Sequence, residues 1–240
     1  MIEALLWGAA GASALLAGAV LAYTVSPSPR LIAVVLALGA GLLLGSVSFE
    51  LIGDAIERAE VALVGIVTVV GAVAFTLGNW ILVRRGGAGR KDAGGAQSAG
   101  TAEAIVLGSV LDGVPESFVL GLTVLQGGVS VALLVGVLLS NLPEGLSSSS
   151  GLRIAGWPQR RVVRMWLLVV AASAVSAALG YALLDPGGDR AGSVAQAFAA
   201  GALIAMVADT MLPEAFDAEG VFTGSLVAVG FGGSIMLSAL

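Results

Sequence analysis

Long apolar runs separated by short polar breaks make up most of the chain. Eight such runs can be marked, at residues 4–25, 31–53, 61–83, 102–125, 129–152, 162–184, 193–213 and 221–240. Each holds about the 20 residues that a helix needs to cross the hydrocarbon core of a bilayer. None alternates apolar with polar positions, as the shorter strands of a membrane barrel would. Leu, Val, Ala and Gly fill them, the composition of closely packed membrane helices. The pattern predicts an all-α integral membrane protein with eight transmembrane helices, in a single polytopic domain over residues 1–240. Ser26-Pro27-Ser28-Pro29 and Asp185-Pro186-Gly187-Gly188 are plain helix breakers. One break is longer. Residues 84–101 read RRGGAGRKDAGGAQSAGT, a flexible polar loop that divides the helices three and five. The first run lacks a basic leader and carries Glu3, so it reads as a retained span rather than a cleaved signal peptide.

Charge sets the direction. With the N-terminus outside, Arg30, Arg84, Arg85, Arg90, Lys91, Arg153, Arg160, Arg161 and Arg164 fall on the cytoplasmic side, nine of the eleven basic residues. Only Arg58 and Arg190 fall outside. The positive-inside bias therefore predicts a multi-pass protein of the cell membrane, with both termini outside and the 84–101 loop cytoplasmic. The external stretch 54–60, with Asp54, Glu57 and Glu60, is acidic on balance; attraction of cations is one reading of it, and a solvated turn is the favoured one.

Composition narrows the chemistry. The chain is 58% hydrophobic and only 11% charged, against about a quarter charged in soluble domains. A soluble enzyme and a disordered chain are both excluded. There is no cysteine and no histidine, so thiolate and imidazole chemistry are absent. No basic patch interleaved with aromatics suggests nucleic acid as a partner. Chemistry is left to carboxylates, amides, hydroxyls, backbone carbonyls and arginine.

Ionisable residues deep in a span cost several kcal/mol and are functional candidates for that reason. Asp112 and Glu116 lie near the middle of the fourth run, Glu144 deep in the fifth, and Asp209 in the inner half of the seventh. Glu50 is nearer the outer end of the second, and Glu214 sits at the inner end of the seventh. Asp112 and Glu116 are one helical turn apart on one face, so the pair calls for a cation or a proton between them. Pro115 precedes Glu116 and Pro143 precedes Glu144. Each proline removes a backbone hydrogen bond and frees a carbonyl one turn earlier, and a freed carbonyl beside a polar cavity is a natural cation ligand. Ser140 and Asn141 can share a face with Glu144. The plainer alternative is a pair of ordinary proline kinks, with each glutamate protonated against a serine or a carbonyl; two such motifs beside Asp112 weigh against it. Ser147 to Ser150 read as packing residues or a wetted wall, since a serine nucleophile has no base here. Trp7, Trp80, Trp157 and Trp166 read as interfacial anchors, and Met206 and Met211 as packing.

At these residues the sequence resembles the ZIP family of divalent-metal transporters. The windows that carry the resemblance are Asp112-Gly113-Val114-Pro115-Glu116-Ser117 and Ser140-Asn141-Leu142-Pro143-Glu144-Gly145. They are similar to the family's His-Asn-x-Pro-Glu-Gly and His-x-x-Pro-Glu-Gly motifs. Phe49-Glu50-Leu51-Ile52, and Gly201-Ala202-Leu203 through Leu212-Pro213-Glu214, look like its second and seventh spans. The resemblance implies a metal site at Asp112, Glu116, Ser140, Asn141 and Glu144, with Glu50, Asp54, Ser173, Asp209 and Glu214 along the pathway. It also implies elevator-like movement and a homodimer. The metal is cargo; no permanent cofactor is expected, and no enzymatic activity. Departures from the family are informative. Asp112 and Ser140 stand where it has histidines, and Ser173 and Gly113 stand at two positions of its second metal. The implied site is built from oxygen alone, which favours manganese or magnesium over zinc or iron(II) without excluding the latter. Three other readings fit less well: a coupled carrier of another solute, a non-transporting metal sensor or degenerate relative, and an intramembrane protease using Asp112 and Asp209. The carrier of anions would need mid-span Arg or Lys, and the protease lacks a Gly-x-Gly-Asp pattern.

Overall fold

A computed structural model describes residues 1–25, 27–87, 101–125, 128–182 and 189–238. These residues are helical almost throughout, and no strand occurs among them. In chain order the helices are α1 (Ile2–Thr24), α2 (Pro29–Ser46), α3 (Gly53–Arg58), α4 (Val61–Leu82) and α5 (Thr101–Leu125). There follow α6 (Val131–Ile154), α7 (Gln159–Ala182), α8 (Asp189–Met206), α9 (Leu212–Glu219) and α10 (Thr223–Leu237). Local chemistry sets several starts. The Ser28 hydroxyl accepts from Leu31 N with Pro29 in the first turn of α2, and Ser130 accepts from Leu133 N at the start of α6.

Seven helices are long and apolar enough to cross a membrane, which makes this a multi-pass membrane protein. The sequence predicted eight runs; the last two belong here to one helical stretch, Arg190–Leu237. That stretch is not straight. Gly220 adopts φ 76°, a left-handed conformation that glycine alone enters freely. On either side of it the chain runs in opposite directions along α2. Glu219, before the turn, pairs with Arg30 at the start of α2 (2.9 Å). Beyond the turn Gly230 meets Leu38 and Ser234 meets Gly45, so α10 runs parallel to α2.

Two expected loops differ at their edges. Residues 54–58 are helix α3 rather than a solvated turn, and only Ala59 and Glu60 are extended. The helix also continues past the fourth arginine, as a π-helical turn over Val83–Gly87, with the Arg84 guanidinium 3.9 Å from the Trp80 ring centre. The rest of the predicted 84–101 loop before Thr101, including Arg90 and Lys91, lies outside the described residues, as do Gln126, Gly127 and Asp185 to Gly188.

Four pairs of helices lie side by side through reciprocal glycines. Gly18 of α1 faces the Leu142 carbonyl of α6, and Gly145 of α6 faces the Leu15 carbonyl of α1. Gly71 and Gly201 do the same for α4 and α8, Gly121 and Gly180 for α5 and α7, and Gly41 and Gly230 for α2 and α10. At each contact a Cβ would collide with the neighbouring backbone. Close packing of this kind replaces the hydrophobic drive that lipid cannot supply. Outward from it, α4 exposes Ile66, Val69, Val70, Val73 and Leu77. Trp166 departs from its expected interfacial place: it is fully buried, and its indole N–H donates to Ser149 Oγ (2.8 Å).

The fold contains an internal repeat. Leu51-Ile52-Gly53-Asp54-Ala55-Ile56-Glu57 matches Met211-Leu212-Pro213-Glu214-Ala215-Phe216-Asp217 position by position. Each stretch emerges from a π-helical turn, Val47–Ile52 or Val207–Met211. Leu51 and Met211 are buried, Ala55 and Ala215 are fully buried, and Ile56 and Phe216 are exposed. Since α8–α9 runs antiparallel to α2, the two copies lie at opposite ends of the molecule.

Candidate metal centre

The central helices α5 and α6 run antiparallel and carry the two Pro-Glu windows into contact. Glu116 is 2% exposed and faces Ser140 Oγ across the pair (3.1 Å), whose one proton it shares with the Val137 carbonyl (3.0 Å). Glu144 is 6% exposed and accepts from Ser109 Oγ in the other direction (2.5 Å). Each glutamate is thus held by a hydroxyl from the facing helix. Asp112, equally buried, lies one turn from both Ser109 and Glu116 on α5. Pro115 and Pro143 lie within these helices, so each helix lacks one backbone hydrogen bond beside its glutamate. No arginine or lysine is buried among the described residues, so no basic side chain enters this interior.

Other predicted residues divide into those that join the centre and those that do not. Ser173 of α7 is buried against it: a Cβ on Gly113 would sit 3.2 Å from its Oγ. The nearby Ser176 Oγ donates to the Val114 carbonyl (2.8 Å). Asn141 faces differently from Ser140 and Glu144. Its Nδ2 donates to the Gly11 carbonyl of α1 (3.2 Å), which leaves only its oxygen for a ligand role. Asp209 departs furthest from expectation. It is exposed and accepts from Thr76 Oγ1 of α4 (2.9 Å), on the outside of the helix bundle. Glu214 is half-buried in the first turn of α9.

Glu50 and Asp54 share a second place, a cavity of about 330 Å3 at the far end of α5. Val119, Leu122 and Thr123 of α5 line it, with Gln196 of α8 and Gly128 to Ser130 before α6. Val119 is one helical turn from Glu116, so the cavity approaches the centre along α5.

Sequence reasoning missed Ser109 and Gln196. Ser109 stands one turn before Asp112, a spacing that could have marked it; Gln196 carries no such signal. Among the described residues no three carboxylates gather into a ready metal cluster. Any cation held at the centre would take part of its shell from hydroxyls, the Asn141 amide oxygen, carbonyls or water, the ligands of hard ions. Neither a scan against protein-family models nor a search of curated proteins returned a match to this chain.

Proposed function

We propose that this protein carries a divalent metal cation across the cell membrane by alternating access, in the manner of the ZIP transporters its Pro-Glu windows resemble. One observation carries the reading: two proline-preceded glutamates, both buried, are held from facing helices at the middle of the bundle. Buried carboxylates of this kind are expensive in a membrane and mark ion pathways. The cation enters through the cavity at Glu50 and Asp54 and exchanges water for ligands at Asp112, Glu116, Ser140, Asn141 and Glu144. It leaves toward Glu214. Asp209 serves the inner side only if the bundle rearranges around Thr76. An antiparallel internal repeat supports alternating access, because repeats of opposite direction can exchange roles at the two faces.

In this reading the chain spans eight times, three and five, with both termini outside. The reversal at Gly220 supplies the eighth crossing. Elevator-like movement and a homodimer come with the resemblance. Oxygen ligands place manganese and magnesium ahead of zinc and iron(II).

Metal flux into proteoliposomes is the test, with manganese, magnesium, zinc and iron(II) compared. Saturable flux that disappears in Glu116→Ala/Glu144→Ala supports the reading; equal flux in that variant overturns it. A second reading, a metal sensor or degenerate relative without transport, draws on the absence of histidine from the sequence. It predicts metal binding with no flux.

A further inference from the structure

The cavity lined by Glu50 and Asp54 holds more than two acids. Gln196 reaches it from α8, is 3% exposed, and its Oε1 has no hydrogen-bond partner. Glu50 is fixed through one oxygen, which accepts from Ser238 Oγ (2.8 Å), while its buried Oε2 also has no partner. A buried acceptor without a donor is rare in folded proteins, because desolvation goes uncompensated. Both residues line one cavity, and an occupant there that supplies positive charge would give these acceptors a partner.

The internal repeat gives Gln196 a counterpart. In the register that aligns Ala55 with Ala215, Gln196 aligns with Leu36, and both positions are equally buried. At the other end of the molecule the equivalent place is a leucine. The amide distinguishes this end of the molecule, where Gln196 lines the cavity. Thr123 adds a hydroxyl whose proton is given to the Leu120 carbonyl (2.9 Å), which leaves its oxygen lone pairs for another partner. The volume, about 330 Å3, holds a cation and several waters, each water occupying about 30 Å3.

We propose that Glu50, Asp54 and Gln196 form an outer binding site for a partly hydrated divalent cation, separate from the centre on α5 and α6. Two carboxylates balance the dication, and the amide and hydroxyl oxygens complete a hard-donor set. The site deepens the transport reading by giving the cation a first stop, but its test rests on binding rather than flux.

The experiment measures manganese(II) binding to the full chain in nanodiscs, by the loss of the free-ion electron paramagnetic resonance signal. The background is Glu116→Ala/Glu144→Ala, which removes the central glutamates. One saturable site is expected to remain. Gln196→Leu, the residue used at the equivalent place in the repeat, should weaken it at least tenfold, and so should Glu50→Gln. Gln196→Glu should restore or tighten it, which a merely structural role for Gln196 would not produce. Glu57→Gln, an exposed acid on the same short helix, should leave it within twofold. No remaining site in the background variant overturns the proposal, as does unchanged binding in Gln196→Leu. Binding at the outer site in a parent protein that shows no flux would instead overturn transport and leave this site standing.

Discussion

Ser109 and Ser140 divide the work of holding two acids. Ser109 donates to Glu144 on the facing helix, and Ser140 divides its proton between Glu116 and the Val137 carbonyl, so neither carboxyl depends only on its own helix for position. Charge and hydrogen bonding can be separated there. Glu144→Gln keeps an acceptor for Ser109 and removes the charge. It should retain a parent-like melting temperature while manganese binding at the centre falls at least tenfold. Ser109→Ala should do the reverse: it costs about 1 kcal/mol of stability, read as a lower melting temperature, through the lost buried hydrogen bond. If Glu144→Gln unfolds the protein and Ser109→Ala does not, the glutamate is structural. Pro-Glu was legible in the sequence because proline and carboxylate are both costly in an apolar helix. Ser109 was not, because one hydroxyl in such a helix satisfies itself as readily on its own backbone. Asp209 was legible as an unusual acid, but its direction was not. The π-helical turn at Val207–Met211 shifts the helix phase, and Asp209 meets Thr76 on the exterior.

At the scale of elements, glycine decides which helices touch. Gly145 meets the Leu15 carbonyl, whereas Gly65 of α4 has open space where a Cβ would go. Gly145→Leu should therefore separate α1 from α6 and abolish a folded, monodisperse preparation. Gly65→Ala should be neutral or stabilising by up to about 1 kcal/mol, from helix propensity. Thermal melting of the two variants in one detergent tests the contrast, and similar losses in both would refute it. Helix ends were the weaker part of the sequence reading. Residues 54–60 carry enough charge to read as a solvated turn and 214–219 fall between two apolar runs, yet 54–58 and 214–219 each continue a helix through a π-helical turn. Hydropathy reports where apolar residues stop, and a helix stops only where its backbone hydrogen bonds do.

For the whole molecule, the proposed topology draws on the reversal at Gly220 and the antiparallel repeat. The chain has no cysteine, so single cysteines report without background. A membrane-impermeant thiol reagent applied to intact cells should label Glu60→Cys and leave Val221→Cys unlabelled until the membrane is opened. Labelling of both from outside would refute the eight-span, termini-outside arrangement. The same approach reads alternating access. Thr123→Cys, in the outer cavity, should lose reactivity when saturating manganese shifts the population inward. Unchanged reactivity across the titration would count against that movement.

The sequence by itself determined that this chain is helical, lives in a membrane, and buries a pair of proline-preceded glutamates without histidine or cysteine. Those features follow from run length, composition and the cost of charge in hydrocarbon, none of which requires knowing what lies beside what. Tertiary structure decided the partners. It set Ser109 against Glu144 and Ser140 against Glu116, turned Asn141 toward α1 and Asp209 outward, buried Trp166, and brought Gln196 to the cavity that Glu50 and Asp54 line. Those placements depend on the rotation and register of each helix. Close glycine contacts and π-helical turns set both, and the identity of a single residue cannot report them.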